Sequence, residues 1–168
     1  MTFALKGGLV ETLRVAADIR TPHVTLSQVT RSFKKAGARE MFAALGPIDL
    51  TLNKGEFFSV VGPSGCGKST LMDVLSGLAR PTSGEVMFEG KVISSVPDGV
   101  GVVFQEDASF PWLTVRDNIA FGLRRSGVDG PEVERRVAYA LGFMGLRDFA
   151  SAYPAQLSGG MRQRVCIA

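Results

Sequence analysis

The feature that most constrains this sequence is a glycine-rich segment, GPSGCGKS, at residues 62–69. It fits the pattern G-x-x-x-x-G-K-[ST]. A nearly continuous apolar run precedes it at Phe57–Val61, as expected for a strand covered on both faces by helices. Leu71, Leu75 and Leu78 follow at helical spacing, and Pro81 closes the predicted helix. The order strand, glycine loop, helix is the context that this pattern requires.

Such a loop is predicted to bind phosphate groups. Glycines let the backbone curl with its N–H groups inward, and the helix start adds unpaired N–H groups and a positive dipole end. Lys68 is expected along the β- and γ-phosphates, Ser69 on Mg²⁺ and Thr70 near the α-phosphate. The alternative is a flexible loop with an incidental lysine. The predicted nucleotide-binding residues here are Gly62, Pro63, Ser64, Gly65, Cys66, Gly67, Lys68, Ser69 and Thr70.

Composition excludes several other classes of protein. The net charge of +3 is spread along the 168 residues without a basic tract, so no nucleic-acid partner is expected. His23 is the single histidine, which excludes a histidine metal cluster and a Ser/His/Asp triad. Cys66 and Cys166 lack CxxC spacing, which argues against a disulfide framework or a zinc site. No signal peptide or membrane span is apparent, so a cytoplasmic location is predicted.

The remaining pattern predicts an order of elements. Residues 1–22 form an extension of unknown role, mildly amphipathic through Leu9, Leu13 and Ala17. Alternating apolar residues around positions 24–26 and 48–52 predict antiparallel strands, and residues 101–104 predict another buried strand. From residue 110 the period becomes helical, with Thr114 as a cap and Pro131 in a first turn.

A second motif lies at residues 157–164, LSGGMRQR. Ser158, Gly159 and Gly160 open a predicted helix and present N–H groups and a hydroxyl to an anion. Following a phosphate loop and a helical region, this segment resembles the LSGGQ signature of ABC-type ATPases, with Met161 where the family usually has glutamine. The resemblance covers residues 24–168.

The resemblance implies an α/β fold: a P-loop NTPase (ABC ATPase) core with an antiparallel β subdomain and an inserted helical subdomain, C-terminally incomplete. The expected boundaries are 1–22 for the extension and 23–168 for the partial ATPase domain. Within that domain, residues 23–109 form the nucleotide-binding core and β subdomain, 110–156 the helical subdomain, and 157–168 the signature and the start of its helix.

The resemblance also implies roles for single residues and for the cofactors ATP and Mg²⁺. Phe33 occupies the place of the aromatic under adenine, although an edge-strand core residue is the alternative. Gln105 matches the glutamine that approaches Mg²⁺ and the attacking water, and Lys68 joins it in catalysis. Ser158 and Gly160, with Gly159 between them, are expected to contact ATP held by a second copy, so that a head-to-tail homodimer encloses two ATPs.

Residues 104–118 resemble ATPases of bacterial importers for nitrate, sulfonates and taurine. Such a subunit couples ATP binding and hydrolysis to import of a small anion. It acts with a transmembrane permease and a periplasmic or extracellular solute-binding protein, on the cytoplasmic face of the membrane. Phe110 and Trp112 are expected to line the groove that receives a permease helix; alternatively, Trp112 packs inside the helical subdomain.

One departure from the family pattern concerns catalysis. The sequence stops at Ala168, before the strand that carries Walker B and the catalytic glutamate in the family, and Glu106 or Asp107 do not replace them. The 168 residues are therefore predicted to bind nucleotide better than they hydrolyse it. Two alternatives stay open: a hydrolysis-deficient fragment or degenerate subunit, and a soluble ABC ATPase of DNA repair or translation.

Overall fold

The computed structural model describes the backbone of residues 2–5 and 8–15 and the complete residues 21–34, 41–104 and 108–168. The chain divides into two compact units, Met1–Val100 and Gly101–Ala168. Each unit has its own hydrophobic core.

Over its described residues, the first unit contains two antiparallel sheets and one helix. One sheet has the order β1-β2-β5 and the other has the order β4-β3-β6-β7. The strands are β1 (Thr2–Leu5), β2 (Gly8–Val15), β3 (Pro22–Lys34), β4 (Met41–Asn53), β5 (Phe57–Val61), β6 (Ser83–Phe88) and β7 (Lys91–Val92), and the helix is α1 (Lys68–Leu75).

The predicted antiparallel strands around residues 24–26 and 48–52 are confirmed as β3 and β4. Leu26 lies opposite Leu50, and both side chains are buried. They share a core with Leu71 and Val74 on α1. Alternation places every second side chain on the face that the helix covers, which is why the pattern was readable.

The spacing of Leu9, Leu13 and Ala17 is typical of a helix, but the described part of residues 1–22 forms strands. β1 pairs with β2, and β2 pairs with β5, with Thr12 opposite Val60. The β-branched Val10 and Thr12 favour a strand, and the pairing with β5 outweighs the spacing of Leu9 and Leu13. Ala17 lies outside the described residues.

The strand predicted at Phe57–Val61 is confirmed, but its cover by helices on both faces is not. Phe58 and Val60 pack against the core, whereas Phe57 and Val61 are exposed. Alternate residues of a strand point to opposite faces. One face of β5 is therefore covered and the other open in the structure.

The helix after the glycine loop ends earlier than its leucine spacing predicts. The backbone N–H and the hydroxyl of Ser76 both donate to Met72 O, and Gly77 takes a left-handed φ of 78°. A Cβ on Gly77 would meet Ser95 O at 2.5 Å, so only glycine fits this close approach. Leu78 consequently lies beyond α1, and its side chain is exposed.

The second unit is helical over its described residues. It contains α2 (Val115–Arg125), α3 (Gly130–Phe143) and α4 (Gly159–Ile167), with short 3-10 helices at Arg147–Phe149 and Pro154–Gln156. Their shared core is formed by Val115, Ile119, Ala120, Val133, Val137, Leu141, Leu146, Leu157 and Val165.

The predicted helix starts in this unit are confirmed. Thr114 caps α2, because its hydroxyl accepts a hydrogen bond from Asp117 N, and Pro131 stands in the first turn of α3. The buried strand predicted at residues 101–104 is wrong. These residues form no strand, and Val103 and Phe104 are 57% and 50% exposed. An apolar run forms a strand only beside a partner, and no described strand pairs with it.

Candidate functional site

The glycine loop connects β5 to α1 and is shaped by two residues with left-handed backbone. Gly65 has a φ of 77°, and Gly67, which caps α1, has a φ of 102°. L-residues with a Cβ rarely adopt these angles, so the glycine spacing in the sequence is what permits this turn. The side chain of Cys66, between the two glycines, is 1% exposed and belongs to the core of the first unit. The packing of Cys66 in this core thus anchors the loop to the first unit.

The backbone at the start of α1 carries unpaired donors. The first backbone bond of this helix runs from Leu71 N to Gly67 O at 2.9 Å. Among the described residues, the N–H groups of Lys68, Ser69 and Thr70 have no acceptor, and no side chain caps the helix. Donors grouped at the positive end of a helix dipole favour an anion.

The Lys68 ammonium lies back over the loop. Its Nζ donates to Gly62 O at 2.8 Å and to Pro63 O at 2.7 Å, and it lies 3.7 Å from Cys66 Sγ. These contacts hold the positive charge of the ammonium against the backbone of the loop. The structure therefore brings Lys68, Ser69 and Thr70 together with the loop backbone, as an arrangement suited to phosphate oxygens.

The donor set also fits the Mg²⁺ that accompanies a triphosphate. Magnesium prefers oxygen ligands and is commonly held by one or two protein oxygens together with substrate phosphates and waters. Ser69 supplies an exposed hydroxyl next to the unpaired N–H groups. In the described ranges no three His, Cys, Asp or Glu side chains group into a metal site. The residues present thus suit a cation that arrives with its phosphates.

Phe33 stands near the end of β3, opposite Phe42 of β4. Its side chain is 42% exposed and lies outside the core. Phe33 is therefore not a core residue of an edge strand, which was the alternative interpretation. The Arg31 guanidinium carbon lies 4.9 Å from the centroid of the Phe33 ring. An exposed aromatic ring of this kind is available for stacking on a planar group.

The signature segment lies in the second unit, at the start of α4. Ser158 is the N-cap, and its hydroxyl accepts from Met161 N at 3.4 Å. A serine hydroxyl that accepts one bond keeps an O–H to donate. Gly159 and Gly160 are exposed, with open space around each backbone. Met161, the departure from the family pattern, is half-buried against the core of this unit.

Gln105 lies outside the described residues, as do Glu106 and Asp107. Its predicted position near Mg²⁺ and the attacking water stays a prediction. The described residues that follow it include Trp112, which is 71% exposed and therefore does not pack inside the helical core. Phe110 is half-buried, and its ring centroid lies 5.6 Å from that of Trp112 and 4.5 Å from that of Phe121.

Asn118 organises this aromatic segment, and sequence reasoning did not single it out. Its Oδ1 accepts from Phe110 N at 2.7 Å, while Nδ2 donates to the carbonyls of Phe110, Leu113 and Thr114 at 3.2, 3.1 and 2.9 Å. No sequence signal identifies this role, because an asparagine that simply faces solvent on a helix would fit the same sequence pattern. A groove of about 450 Å³ borders the segment, lined by Trp112, Leu113, Asp117, Phe121, Arg124 and Arg125.

Two of the charged side chains at this groove form an ion pair. Arg124 Nη1 lies 3.0 Å from Asp117 Oδ1, and Thr114 donates its hydroxyl to Asp117 Oδ2 at 2.7 Å. The Thr114 hydrogen bond, followed by that from Arg124, lowers the pKa of the Asp117 carboxyl. Asp117 therefore stays ionised at neutral pH and keeps its contacts with Thr114 and Arg124.

Comparison with known proteins identifies the family of this chain. The model of the ABC transporter family matches residues 45–168, which include both the glycine loop and the signature. The chain belongs to the ABC transporter family. Solved ABC ATP-binding cassettes resemble it, so the predicted fold class is confirmed.

Two solved structures of one cassette show the likeness. A dimeric post-hydrolysis state of the ATP-binding cassette MJ0796, bound to ADP and Pi, is 34% identical with a TM-score of 0.74, and the match covers 86% of this chain and 67% of that one. A second dimeric structure of MJ0796, a bacterial ABC transporter cassette, gives 33% identity and a TM-score of 0.75 over the same shares.

Curated ABC relatives include importer subunits for different solutes. The taurine import ATP-binding protein TauB of Pseudomonas aeruginosa is 43% identical over 145 residues, covering 86% of this chain and 54% of TauB. The spermidine/putrescine import ATP-binding protein PotA of Thermobifida fusca is 43% identical over 150 residues, covering 88% of this chain and 38% of PotA. The chain thus spans about half, or less, of these relatives. Across its described residues, no helix is both long and apolar enough to cross a membrane.

Proposed function

We propose that this chain is the ATP-binding subunit of an importer and that residues 62–70 hold the phosphates of ATP. The observation that carries the proposal is the loop itself: the start of α1 has N–H groups without an acceptor among the described residues, and the Lys68 ammonium is held against the loop backbone. The match of this segment to the ABC transporter family supports the same reading.

Each residue of the loop has a defined task in this proposal. The N–H groups of Lys68, Ser69 and Thr70 bind phosphate oxygens, and the Lys68 ammonium offsets their negative charge. Ser69 and Gln105 would hold the Mg²⁺ that accompanies the nucleotide, and the bound cation would neutralise charge on the phosphates. Phe33 stacks on the adenine base with its exposed ring.

Calorimetric titration of the chain with ATP and magnesium tests the site. Lys68→Ala removes a charge-assisted contact, which corresponds to about 10-fold to 100-fold weaker binding. Lys91→Ala is the matched control, since Lys91 is an exposed lysine of the same unit, on β7. Equal affinity in the Lys68→Ala variant and the wild type refutes the assignment of the loop.

The signature segment completes a second site in this proposal. The O–H of Ser158 and the backbone of Gly159 and Gly160 contact the γ-phosphate of ATP bound to another copy of the chain, giving a head-to-tail dimer. Their exposure at the start of α4 supports this role, as do the dimeric MJ0796 cassettes. Ser158→Arg should leave binding in one copy intact and prevent ATP-driven dimerisation, measured by sedimentation. Loss of ATP binding by the monomer contradicts the role in trans.

The groove beside Trp112 is proposed as the contact with a transmembrane permease, at the cytoplasmic face of the membrane. An exposed tryptophan over a groove of about 450 Å³ is a suitable receptor for a short helix. Co-purification with the permease from membranes tests this contact, and Trp112→Ala should reduce it without weakening ATP binding.

The transported solute is proposed to be a small anion of the nitrate, sulfonate or taurine class, delivered by a solute-binding protein. The resemblance of residues 104–118 and the match to TauB support an anion, while the match to PotA favours a polyamine. Competition between taurine and spermidine in an uptake assay with the assembled transporter separates these solutes.

Nucleotide turnover is a separate question from nucleotide binding. We propose that the 168 residues bind ATP more effectively than they hydrolyse it. Steady-state phosphate release measured beside binding of an ATP analogue tests this statement. Binding without release supports it, and release at the rate of an intact transport ATPase contradicts it.

A further inference from the structure

The side chain of Arg31 lies against the predicted base-stacking residue. Its guanidinium carbon is 4.9 Å from the centroid of the Phe33 ring, which is the geometry of a cation–π contact. The same guanidinium donates through Nη1 to Arg80 O at 2.7 Å. Arg31 therefore joins the ring of Phe33 to the chain segment that follows α1.

That segment fixes the end of β3 through further hydrogen bonds. Thr82 N donates to Thr30 O at 2.7 Å, and Ser32 N donates to Thr82 Oγ1 at 2.9 Å. The hydroxyls of Thr30 and Ser83 lie 2.7 Å apart. Residues 30–32 are thus tied to residues 82–83, and Phe33 is the next residue along the strand. Its backbone position is set, while its exposed ring still needs a contact to define its orientation.

The contact with the ring also explains where the guanidinium lies. Arg31 Nε is buried and has no hydrogen-bond partner in the described part of the chain. Burying an unpaired N–H is unfavourable, so the bond to Arg80 O is not the whole reason for this placement. Packing over an aromatic face is what the planar guanidinium gains here.

We propose that Arg31 is a positioning residue for the adenine base. It covers one face of the Phe33 ring and holds the ring so that the base stacks on the opposite face. This inference rests on the proposed function, in which Phe33 stacks on adenine. In addition to Phe33, binding of the base then requires the planar cation of Arg31, whereas binding of the phosphates does not.

The experiment compares ATP with inorganic tripolyphosphate, which has phosphates but no base, by calorimetry with magnesium. Arg31→Met keeps the apolar stem and removes the guanidinium. We expect about 2-fold to 5-fold weaker ATP binding, as for loss of a partly exposed cation–π contact, and unchanged tripolyphosphate binding. Lys34→Met is the control, because it removes one exposed positive charge next to Phe33 in the chain. It should change neither affinity.

A double variant identifies the route of the effect. In a Phe33→Ala background, Arg31→Met should weaken ATP binding no further, since Arg31 acts through the ring. Additive losses, an equal loss for tripolyphosphate, or full ATP affinity in Arg31→Met each overturn the inference. Thermal unfolding of each variant identifies a misfolded sample, and Arg31→Gln, which also removes the cation, then replaces Arg31→Met, with the same expected loss for ATP alone. Failure of the wild type to bind either ligand refutes the nucleotide site itself.

Discussion

Replacing Asn118 with alanine should release the aromatic segment at residues 110–114. The Asn118 side chain bonds to the backbone of Phe110, Leu113 and Thr114, which together precede α2. Alanine keeps the helix, since it has the highest helix propensity, and removes every one of these bonds. The variant therefore tests the hydrogen bonds that Asn118 makes to residues 110–114 without lowering the helix propensity of α2.

The size of the effect follows from the donors and acceptors of one amide. Nδ2 has two hydrogens and Oδ1 accepts from Phe110 N, so the amide makes three full hydrogen bonds although three carbonyls surround Nδ2. At a net ~1 kcal/mol each, the free energy of unfolding of the second unit should fall by about 3 kcal/mol. The groups are half-buried, so water replaces part of the loss and this value is an upper figure.

Trp112 is the single tryptophan of the chain, which makes the assay local. Urea unfolding followed by its fluorescence gives the change in stability, and acrylamide quenching in native buffer reports the release of the segment. Asn53→Ala is the matched control, because it removes the side-chain hydrogen bond to Glu56 Oε2 in the first unit. A stability loss below about 1 kcal/mol, with unchanged quenching, would refute the role given to Asn118.

Three further predictions concern the charge, the cap and the thiol. Hydrogen bonds from Arg135 and then Arg136 lower the pKa of Glu132 to about 2 from an ordinary 4.5, so their contribution to stability is present above pH 4.5 and is lost as the pH falls toward 2. Urea midpoints against pH should show this acid loss in the wild type and a smaller one in Glu132→Gln. Ser158→Ala removes the cap of α4 and should cost about 0.5–1 kcal/mol in urea unfolding, and an unchanged midpoint would show that the cap contributes nothing. N-ethylmaleimide should label the buried Cys66 slowly in the folded chain, and ATP should slow it further; labelling at the unfolded rate contradicts this burial.

The sequence predicted the local features of the site well because their physical causes are local. The left-handed backbone at Gly65 and Gly67 follows from glycine at fixed spacing, and the helix start at Lys68 follows from the residues around it. Ser158 caps α4 for a similarly local reason, because its hydroxyl accepts a hydrogen bond from the backbone three residues later. These features were readable without knowledge of the rest of the chain.

What the sequence could not predict depends on partners distant in the chain. Residues 101–104 have the apolar character of a buried strand, but a strand also needs a neighbour, which no local pattern reveals. The Arg31 hydrogen bond joins residues 49 positions apart, and the burial of Cys66 depends on core residues of three strands and a helix. Tertiary packing decides such contacts.

The burial of Cys66 has a consequence for how ligand and fold depend on each other. Cys66 lies inside the glycine loop that is proposed to hold the phosphates and is also a member of the core, so the shape of this loop depends on packing in the core that contains Leu71 and Val74. A ligand that binds only the folded form adds about 2.7 kcal/mol to stability at a concentration of 100 times its Kd. Nucleotide should therefore rescue destabilised core variants of the first unit, and small changes in core volume should alter nucleotide affinity from a distance.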